Sequence, residues 1–224
     1  PISLVGSEMC IRDSAQIGRV LDKLEETGLD KNTIVILTSD HGYHLGEHGH
    51  WQKQTLFEHA TRVPLIFSGP GISRGLNPVK APVELIDLYP TLMEMLHMET
   101  PKFVQGKSLK PYFKGAKVSV RNSALSELLV ETPLGLAQGY SIKTERYRLN
   151  RWSDKKIFEY ELYDHKYDHD ELNNLAGNLK YTEVLDSLKK VLEKRVESAQ
   201  EYPQGLGRQI DNVQPWSEPK LNLF

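Results

Sequence analysis

The sequence predicts an α/β protein whose mainly parallel sheet is sandwiched by helices, followed by a small antiparallel α+β lobe. A helical apolar pattern over residues 15–28 leads into the continuous apolar run Ile34–Leu37, and this helix-then-strand order is typical of a parallel sheet. The run ends abruptly in polar residues, at the position where α/β sheets bind ligands. From residue 124 onward, short runs separated by tight turns predict antiparallel strands instead.

Composition places the chain among ordinary globular proteins and excludes several classes. Of its 224 residues, 39% are hydrophobic and 26% are charged. The net charge of −2 gives no reason to expect nucleic acid or an anionic membrane surface as a partner. No apolar run approaches the roughly 20 residues that span a bilayer. The single cysteine, Cys10, excludes an intramolecular disulfide and a zinc site built from thiolates.

The first fourteen residues look unlike a natural protein segment. Residues 4–14, LVGSEMCIRDS, resemble the conceptual translation of a sequencing adapter. We therefore expect residues 1–14 to be an artefact and the natural sequence to begin near Ala15. The alternative is a short native strand over residues 2–6. If the segment is an artefact, the missing signal peptide carries no information about where the protein works.

The first elements follow from apolar spacing and from the positions of glycine and proline. A helix is expected over residues 15–28, where apolar side chains recur at helical spacing and Gly28 can end it. The strand over Thr33–Thr38 is expected to be parallel and buried on both faces. A second short strand is expected over Val63–Phe67, with Pro64 near its start in a first or edge position.

The middle and the end of the chain each carry a helical pattern. A helix is expected over Pro82–Met98, with its first proline in the opening turn and a kink at Pro90. Turn-forming residues predict a loop over 100–115. An amphipathic stripe predicts a last helix over Leu179–Ala199, and the polar tail from Glu201 is expected to wrap the surface.

A domain boundary is expected near residues 115–121, where the pattern changes from α/β to antiparallel. The expected domains are an α/β part over residues 15–118 and an antiparallel part with a terminal helix and tail over residues 119–224. The strands expected in the second part are Ala124–Val130, Leu136–Lys143, Tyr147–Trp152 and Phe158–Tyr163.

Asp40 and His41 lie just past the carboxyl end of the first predicted strand, where a carboxylate and an imidazole could share a divalent cation. Such an ion would need further oxygen ligands, since calcium takes about six to eight. Taken alone, the Asp-His-Gly sequence is a weak signal, because an Asx-turn with a hydrogen-bonded histidine explains it as well.

Longer blocks of sequence make this motif more specific. Thr38–Gly42 is followed by Leu45–Gly49, by Trp51 and Lys53, and by Thr61–Ile66. This ordered set resembles the C-terminal half of the type I sulfatases of the alkaline-phosphatase superfamily, and most of all iduronate-2-sulfatase and its bacterial relatives. The resemblance continues through Glu84–Leu92, Gly139–Ile142, Tyr147–Arg148, Glu161–Asp164 and Asn174–Ala176.

The resemblance implies the C-terminal part of an alkaline-phosphatase-like sheet, a sulfuric ester hydrolase activity and a sulfated carbohydrate substrate. Asp40 and His41 would be ligands of an active-site Ca²⁺ ion. Lys53 would contact the sulfate oxygens, where a cation stabilises the charge that develops in the transition state. Without the resemblance, Lys53 would be taken for an ordinary solvated lysine.

The other polar residues around the motif have weaker assignments. His48 is a candidate catalytic residue, either as a partner of a metal ligand or as a contact to the leaving group, and surface packing is the alternative. Trp51 is either a wall that stacks on sugar or a core residue beneath the loop. Arg62 is expected to pair with an acid. Packing roles are expected for His44, His50 and His59, and no role is assigned to Glu47 or Glu58.

Two departures from the family pattern indicate a fragment. Sulfatases of this type make a formylglycine nucleophile from a Cys/Ser-x-Pro-x-Arg motif, and no such motif occurs in these 224 residues. The early paired aspartates that complete the calcium site are absent as well. We therefore expect the full-length protein to be a sulfatase and the chain as written to be inactive.

Two other interpretations stay open. Phosphonate monoester hydrolases and phosphodiesterases share the strand-end Asp-His and the later lysine, so phosphoryl transfer is one alternative. A non-catalytic carbohydrate- or metal-binding module is the other. From the habit of the family, we expect a periplasmic, secreted or lysosomal location, with no nucleic-acid or membrane partner.

Overall fold

The computed structural model of this protein describes residues 2–115, 119–132, 135–153 and 158–201. None of the helices in these ranges is both long and apolar enough to span a bilayer. The tail that was predicted to wrap the surface lies outside the described residues.

The chain begins with α1, a helix over Ile2–Glu26. The predicted helix over residues 15–28 is confirmed as its second half, and the alternative of a strand over residues 2–6 is wrong. Gly28 follows with a left-handed φ of 71°, and its N–H donates to the carbonyl of Glu25 at 2.9 Å. Because glycine adopts this conformation without steric cost, the helix ends here.

The segment that carries the motif is made of short elements. β1 spans Val35–Thr38 and leads into a small antiparallel hairpin of β2 (His44–Leu45) and β3 (Trp51–Gln52). One helical turn, α2, follows over Glu58–Thr61. β4 then spans Leu65–Ser68 and overlaps the second predicted strand.

The prediction of a parallel strand buried on both faces is wrong for β1. β1 pairs antiparallel with β4, with Val35 opposite Ser68 and Thr38 opposite Leu65. β4 is its only partner among the described strands, and the side chains of β1 are half-buried or exposed. A strand is buried on both faces only when helices cover both sides of the sheet, and two short strands lack that cover.

The second predicted helix is shorter than expected. α3 spans Leu88–Met95 after one 3₁₀ turn, instead of Pro82–Met98. A capping box between Glu84 and Asp87 sets this start, because their side chains take up the N–H groups of the first turn. Pro90 therefore falls in the first turn of α3, where its missing N–H breaks no hydrogen bond, and the predicted kink is wrong.

The loop predicted over residues 100–115 ends in a 3₁₀ turn at Lys110–Lys114. Tyr112 and Phe113 of this turn are buried with Leu109, and Phe67 of β4 packs on Phe113 with ring centroids 4.9 Å apart. The end of the loop is therefore part of a small core beside β4.

The second half of the chain confirms the predicted antiparallel architecture. The sheet has the strand order β5 (Ala124–Thr132), β6 (Gly135–Lys143), β7 (Tyr147–Ser153) and β8 (Phe158–Asp164). These bounds agree with the predicted strands to within two residues. The overall class is mixed α/β with a C-terminal antiparallel sheet, as the sequence predicts.

The last predicted helix is confirmed as α4, over Thr182–Gln200, and packs on this sheet. Its buried apolar stripe and the strands share one core, made of Leu185, Leu188, Leu192, Val196, Ile142, Leu149 and Leu162.

Glu84 lies at the centre of an ion network that crosses the predicted domain boundary. Its carboxylate forms an ion pair with Nη1 of Arg121 at 2.7 Å and accepts a hydrogen bond from Nη2 of Arg195, in α4, at 2.6 Å. Arg121 also bonds to the buried carboxylate of Asp87. Because these bonds join both parts, the division near residue 118 stays a prediction.

Candidate active site

Asp40 and His41 lie in the turn that directly follows β1. The next residue, Gly42, donates its N–H to the carbonyl of Ala60 in α2 at 2.8 Å, which fastens the turn to the helix. Only glycine fits here, because a Cβ at residue 42 would lie 1.9 Å from the carbonyl oxygen of His59. The two predicted metal ligands are thus held by a close contact between the turn and α2.

The ring of His41 is oriented by the neighbouring backbone. Its Nδ1 lies 2.7 Å from the carbonyl oxygen of Gly42, which can only accept, so Nδ1 carries the proton. The lone pair of the ring is therefore on Nε2, which lies 3.5 Å from Oδ2 of Asp40. Oδ1 of Asp40 accepts the N–H of His41 at 3.1 Å, which orients the carboxylate as well.

Lys53 reaches the same point from the far end of the β2–β3 hairpin. The hairpin pairs Leu45 with Trp51, and this register brings residue 53 back beside residue 41. Nζ of Lys53 lies 2.8 Å from Nε2 of His41 and donates to its lone pair. The structure therefore brings together a carboxylate, an imidazole and an ammonium from Asp40, His41 and Lys53.

Comparison with known proteins places this chain in a family. Residues 46–198 match the family described as N-sulphoglucosamine sulphohydrolase, C-terminal. The chain belongs to the type I sulfatases. A sulfatase of Formosa agariphila is 36% identical over 179 residues, which make up 80% of this chain and 33% of that protein. The chain spans about a third of the length of the curated relatives that it matches.

Two solved structures show the fold of this sulfatase chain in other proteins. BT4656, in complex with its substrate D-glucosamine-2-N,6-O-disulfate, is 32% identical, with a TM-score of 0.70 over 84% of this chain and 39% of that one. The phosphonate monoester hydrolase SpPMH from Silicibacter pomeroyi is 29% identical, with a TM-score of 0.71 over 87% of this chain and 40% of that one. The fold alone therefore does not choose between sulfate and phosphonate esters.

His48 was predicted to be catalytic, but in this sulfatase chain it lies outside the cluster of Asp40, His41 and Lys53. Its backbone has a φ of 54°, and its ring stacks on Phe57 with centroids 3.9 Å apart and an interplanar angle of 2°. Within the described residues, no hydrogen bond joins His48 to Asp40, His41 or Lys53. Its buried Nε2 has no hydrogen-bond partner in that part of the chain.

His44 is fully buried among the other histidine rings. Its Nε2 lies 2.7 Å from Oγ1 of Thr55, and the rings of His48, His50 and His59 have centroids 5.5–6.0 Å away. Burial, and then the charges that the neighbouring histidines would carry, lower the pKa of His44. A buried neutral ring with a hydroxyl partner packs the loop, as the sequence analysis expects.

The remaining side chains around the cluster have surface positions. Trp51 is 55% exposed, so a core role is wrong for the described part of the chain, and a sugar-stacking role stays a prediction. Arg62 pairs with Glu58 at 3.7 Å, in agreement with the expected acid partner. Glu47 accepts the N–H of Leu45 at 2.6 Å, and this hydrogen bond lowers the pKa of its carboxyl group.

A second group of possible metal ligands is formed by Glu58, His165 and Glu171, whose donor atoms all lie within 4.8 Å of one another. Arg148, itself buried, bonds to both carboxylates: its Nε lies 2.5 Å from Oε1 of Glu171 and its Nη2 lies 2.5 Å from Oε2 of Glu58. The guanidinium takes up the lone pairs that a metal would need, and its charge repels a divalent ion. This group is therefore an ion-pair cluster rather than a metal centre.

This ion-pair cluster is not predicted from the sequence. No pattern there assigns a role to Glu58 or singles out His165 or Glu171. The one available signal is Arg148, which falls in a block that resembles the sulfatase family.

Proposed function

We propose that this chain is part of a longer sulfuric ester hydrolase, which cleaves a sulfate ester on a carbohydrate with the help of a divalent ion. The observation that carries the proposal is the convergence of Asp40, His41 and Lys53. Nε2 of His41 lies 2.8 Å from Nζ of Lys53 and 3.5 Å from Oδ2 of Asp40. Membership of the sulfatase family supplies the reaction class.

Asp40 and His41 are proposed as two ligands of a Ca²⁺ ion. A carboxylate oxygen and an imidazole nitrogen 3.5 Å apart suit a cation whose bonds to oxygen are about 2.3–2.6 Å long. The carbonyl of Gly42 keeps the proton on Nδ1, so the lone pair of Nε2 can bind the ion once Lys53, which lies 2.8 Å from Nε2, turns away toward the substrate. The Asp40 side chain is 83% exposed, which leaves its carboxylate accessible.

The bound ion would act as a Lewis acid that draws negative charge from an ester oxygen. Two protein ligands do not complete a calcium shell of about six to eight. The remaining ligands are proposed to come from parts of the longer protein outside these 224 residues.

Lys53 is proposed to bind the peripheral oxygens of the sulfate ester. Its ammonium is a compact charge with three donors, and residue 53 is exposed, so the stem can turn from His41 toward an anionic substrate. In the transition state, negative charge is spread over these peripheral oxygens and the leaving oxygen. A fixed cation at this place therefore lowers the barrier more than it strengthens ground-state binding.

His48 is proposed as a contact to the leaving-group oxygen or as a support for a metal ligand. Its buried Nε2 has no partner among the described residues, so its hydrogen-bonding capacity is unused there. An imidazole can donate to a departing oxygen as readily as it accepts, which is what the first role requires.

The nucleophile is proposed to lie in another part of the longer protein. The 224 residues contain no Cys/Ser-x-Pro-x-Arg motif, the family's source of formylglycine. The chain by itself is then expected to bind parts of the substrate without hydrolysing it.

The substrate class is proposed to be a sulfated carbohydrate, with iduronate 2-sulfate of a glycosaminoglycan as the finer proposal. The first is supported by the solved neighbour that holds a disulfated glucosamine. The second is supported by the sequence blocks that resemble iduronate-2-sulfatase. The same resemblance supports a periplasmic, secreted or lysosomal location.

A second candidate function is phosphonate monoester hydrolysis, which is favoured by the similarity to SpPMH. The two candidates are separated by the kcat/KM of the longer protein on an aryl sulfate and on a matched aryl phosphonate monoester. A preference for the sulfate by orders of magnitude supports the sulfatase proposal, and the opposite preference overturns it. Hydrolysis of neither ester, by a protein with an intact nucleophile motif, would identify a binding module.

A further inference from the structure

We infer that Glu171, which lies just after the antiparallel sheet, is a positioning residue that holds the Asp40–His41 turn in place through α2. This inference rests on the proposed function of that turn. Glu171 is not placed in contact with the substrate, the ion or the nucleophile. Its effect is transmitted through two hydrogen bonds and one helical turn.

Glu171 is held from one side by two hydrogen-bond donors, a guanidinium and an imidazole. It is 2% exposed, and its Oε1 accepts from Nε of Arg148 at 2.5 Å and from Nε2 of His165 at 2.7 Å. Burial alone would raise the pKa of Glu171, but the hydrogen bond from His165 and the charge of Arg148 outweigh it and lower the pKa. The buried side chain is therefore an anion with a fixed orientation.

The other carboxylate oxygen of Glu171 reaches across the sequence to α2. Oε2 accepts the backbone N–H of Glu58, 113 positions earlier, at 2.8 Å. Glu58 is the first residue of α2, so this N–H has no carbonyl partner within the helix. Arg148 bonds to the side chain of Glu58 at 2.5 Å and to Oγ of Ser141 in β6 at 3.0 Å. The start of α2 is thus tied to the antiparallel sheet by its backbone and by its side chain.

The far end of α2 holds the active-site turn. The carbonyl of Ala60 accepts the N–H of Gly42 at 2.8 Å, and the missing Cβ of Gly42 lets the two segments approach this closely. Gly42 follows His41 directly, and its carbonyl fixes the tautomer of the His41 ring. A shift of α2 therefore moves Gly42 and, through its carbonyl, the ring of His41.

Glutamine cannot replace the carboxylate in this arrangement. The single oxygen of an amide at this position can face Arg148 and His165 or face the N–H of Glu58, but not both. In either orientation the amide NH₂ group meets another donor. Glu171→Gln is therefore expected to release the start of α2 while it conserves the size of the side chain.

The test compares Glu171→Gln with Asp164→Asn in the longer protein that contains this chain. Asp164 is also buried, and its carboxylate accepts from Nε of Arg146 at 2.8 Å and from Nη2 at 2.6 Å. None of its hydrogen bonds in the described residues reaches α2, so it controls for loss of stability in the same sheet. Hydrogen exchange is followed by mass spectrometry on peptides that cover residues 40–44 and 57–62.

In Glu171→Gln, the amides of Glu58 and Gly42 are expected to exchange about tenfold faster than in the wild type, and Ca²⁺ is expected to bind about tenfold more weakly. In Asp164→Asn both quantities should stay near the wild-type values. Unchanged exchange at Gly42 in Glu171→Gln, or equal acceleration in both variants, would overturn the inference.

A second variant and a separate wild-type measurement complete the test. If Glu171→Gln does not fold, Glu171→Asp keeps the charge but shortens the reach to Glu58 by one methylene group, and the same amides are measured. If the wild type binds no Ca²⁺ and hydrolyses no sulfate ester, the proposed function fails. The exchange of the Gly42 amide still decides whether Glu171 positions the turn.

Discussion

His41 and Lys53, twelve positions apart in the sequence, are joined by a 2.8 Å contact between Nε2 and Nζ. The contact requires the ammonium to donate, because the proton of the imidazole is on Nδ1, facing the carbonyl of Gly42. The β2–β3 hairpin fixes the distance between the two residues. One surface of the molecule therefore holds an ammonium and an imidazole in contact, and the two groups can be removed separately by mutation.

Lys53→Ala is expected to lower kcat on a sulfate ester by about 10²–10³, with a smaller change in KM, because its charge acts mainly in the transition state. The stability of the fold should change by less than about 0.5 kcal/mol, since residue 53 is exposed. Steady-state kinetics of the longer protein measure this. Lys31→Ala, at an exposed lysine before β1, is the control, and an equal loss in both variants would contradict the assignment.

Asp40→Asn is expected to abolish most of the stabilisation that Ca²⁺ gives to the longer protein. A ligand present at 100 times its Kd stabilises the folded state by about 2.7 kcal/mol, and a neutral amide binds a hard cation more weakly than a carboxylate does. Thermal unfolding with Ca²⁺ and with a chelator measures the difference. Asp30→Asn, at an exposed aspartate after α1, should keep the wild-type response. If the chelator does not change the thermal stability of the wild type, the proposed ion is not bound.

The parts of the fold that the sequence predicts well are those set by local pattern. The four strands β5–β8 and the stripe of α4 follow from alternation and helical spacing, which neighbouring residues determine. Asp40 and His41 follow from the end of an apolar strand, and Lys53 from the resemblance to a family. The strand and helix signals lie in short windows of neighbouring residues, whereas the resemblance that marks Lys53 is spread over ordered blocks from Thr38 to Ala176.

The parts that the sequence does not predict depend on distant partners. The antiparallel pairing of β1 with β4 cannot be predicted from the apolar run of β1, because such a run does not show in which direction the partner strand lies. The start of α3 is moved by the capping box of Glu84, which competes with a proline signal two residues earlier. The bond between Glu171 and the N–H of Glu58 joins residues 113 positions apart, and no local pattern marks either partner.

Gly42→Ala is expected to destabilise the protein by about 3 kcal/mol and to weaken Ca²⁺ binding, because the new Cβ would lie 1.9 Å from the carbonyl oxygen of His59. The turn or α2 must move to relieve this contact. Chemical denaturation measures the loss. Gly18→Ala in α1 is the matched control: nothing lies within 4 Å of its Cβ, so it should be neutral or stabilising by about 0.5–1 kcal/mol. Similar losses in both variants would mean that the turn is not tightly held against α2.

Asp164 is expected to make the stability of the protein depend on pH in the acid range. The hydrogen bond from Arg146 is the largest cause that lowers the pKa of Asp164 below its ordinary value of about 3.9. Since the folded state holds the carboxylate charged more strongly than the unfolded state does, the stabilisation is complete above the unfolded pKa. It is lost as the pH falls through the folded pKa.

Asp164→Asn should therefore be less stable than the wild type by about 1–3 kcal/mol at pH 7, and this difference should shrink as the pH falls below about 4. Urea denaturation at a series of pH values measures the difference. Asp186→Asn, at an exposed position of α4, should differ little from the wild type at every pH. A difference between wild type and Asp164→Asn that stays constant down to about pH 2 would show that the pair with Arg146 does not perturb the titration of Asp164. The loss at pH 7 would then come from packing alone, because packing does not change with the protonation of the carboxylate.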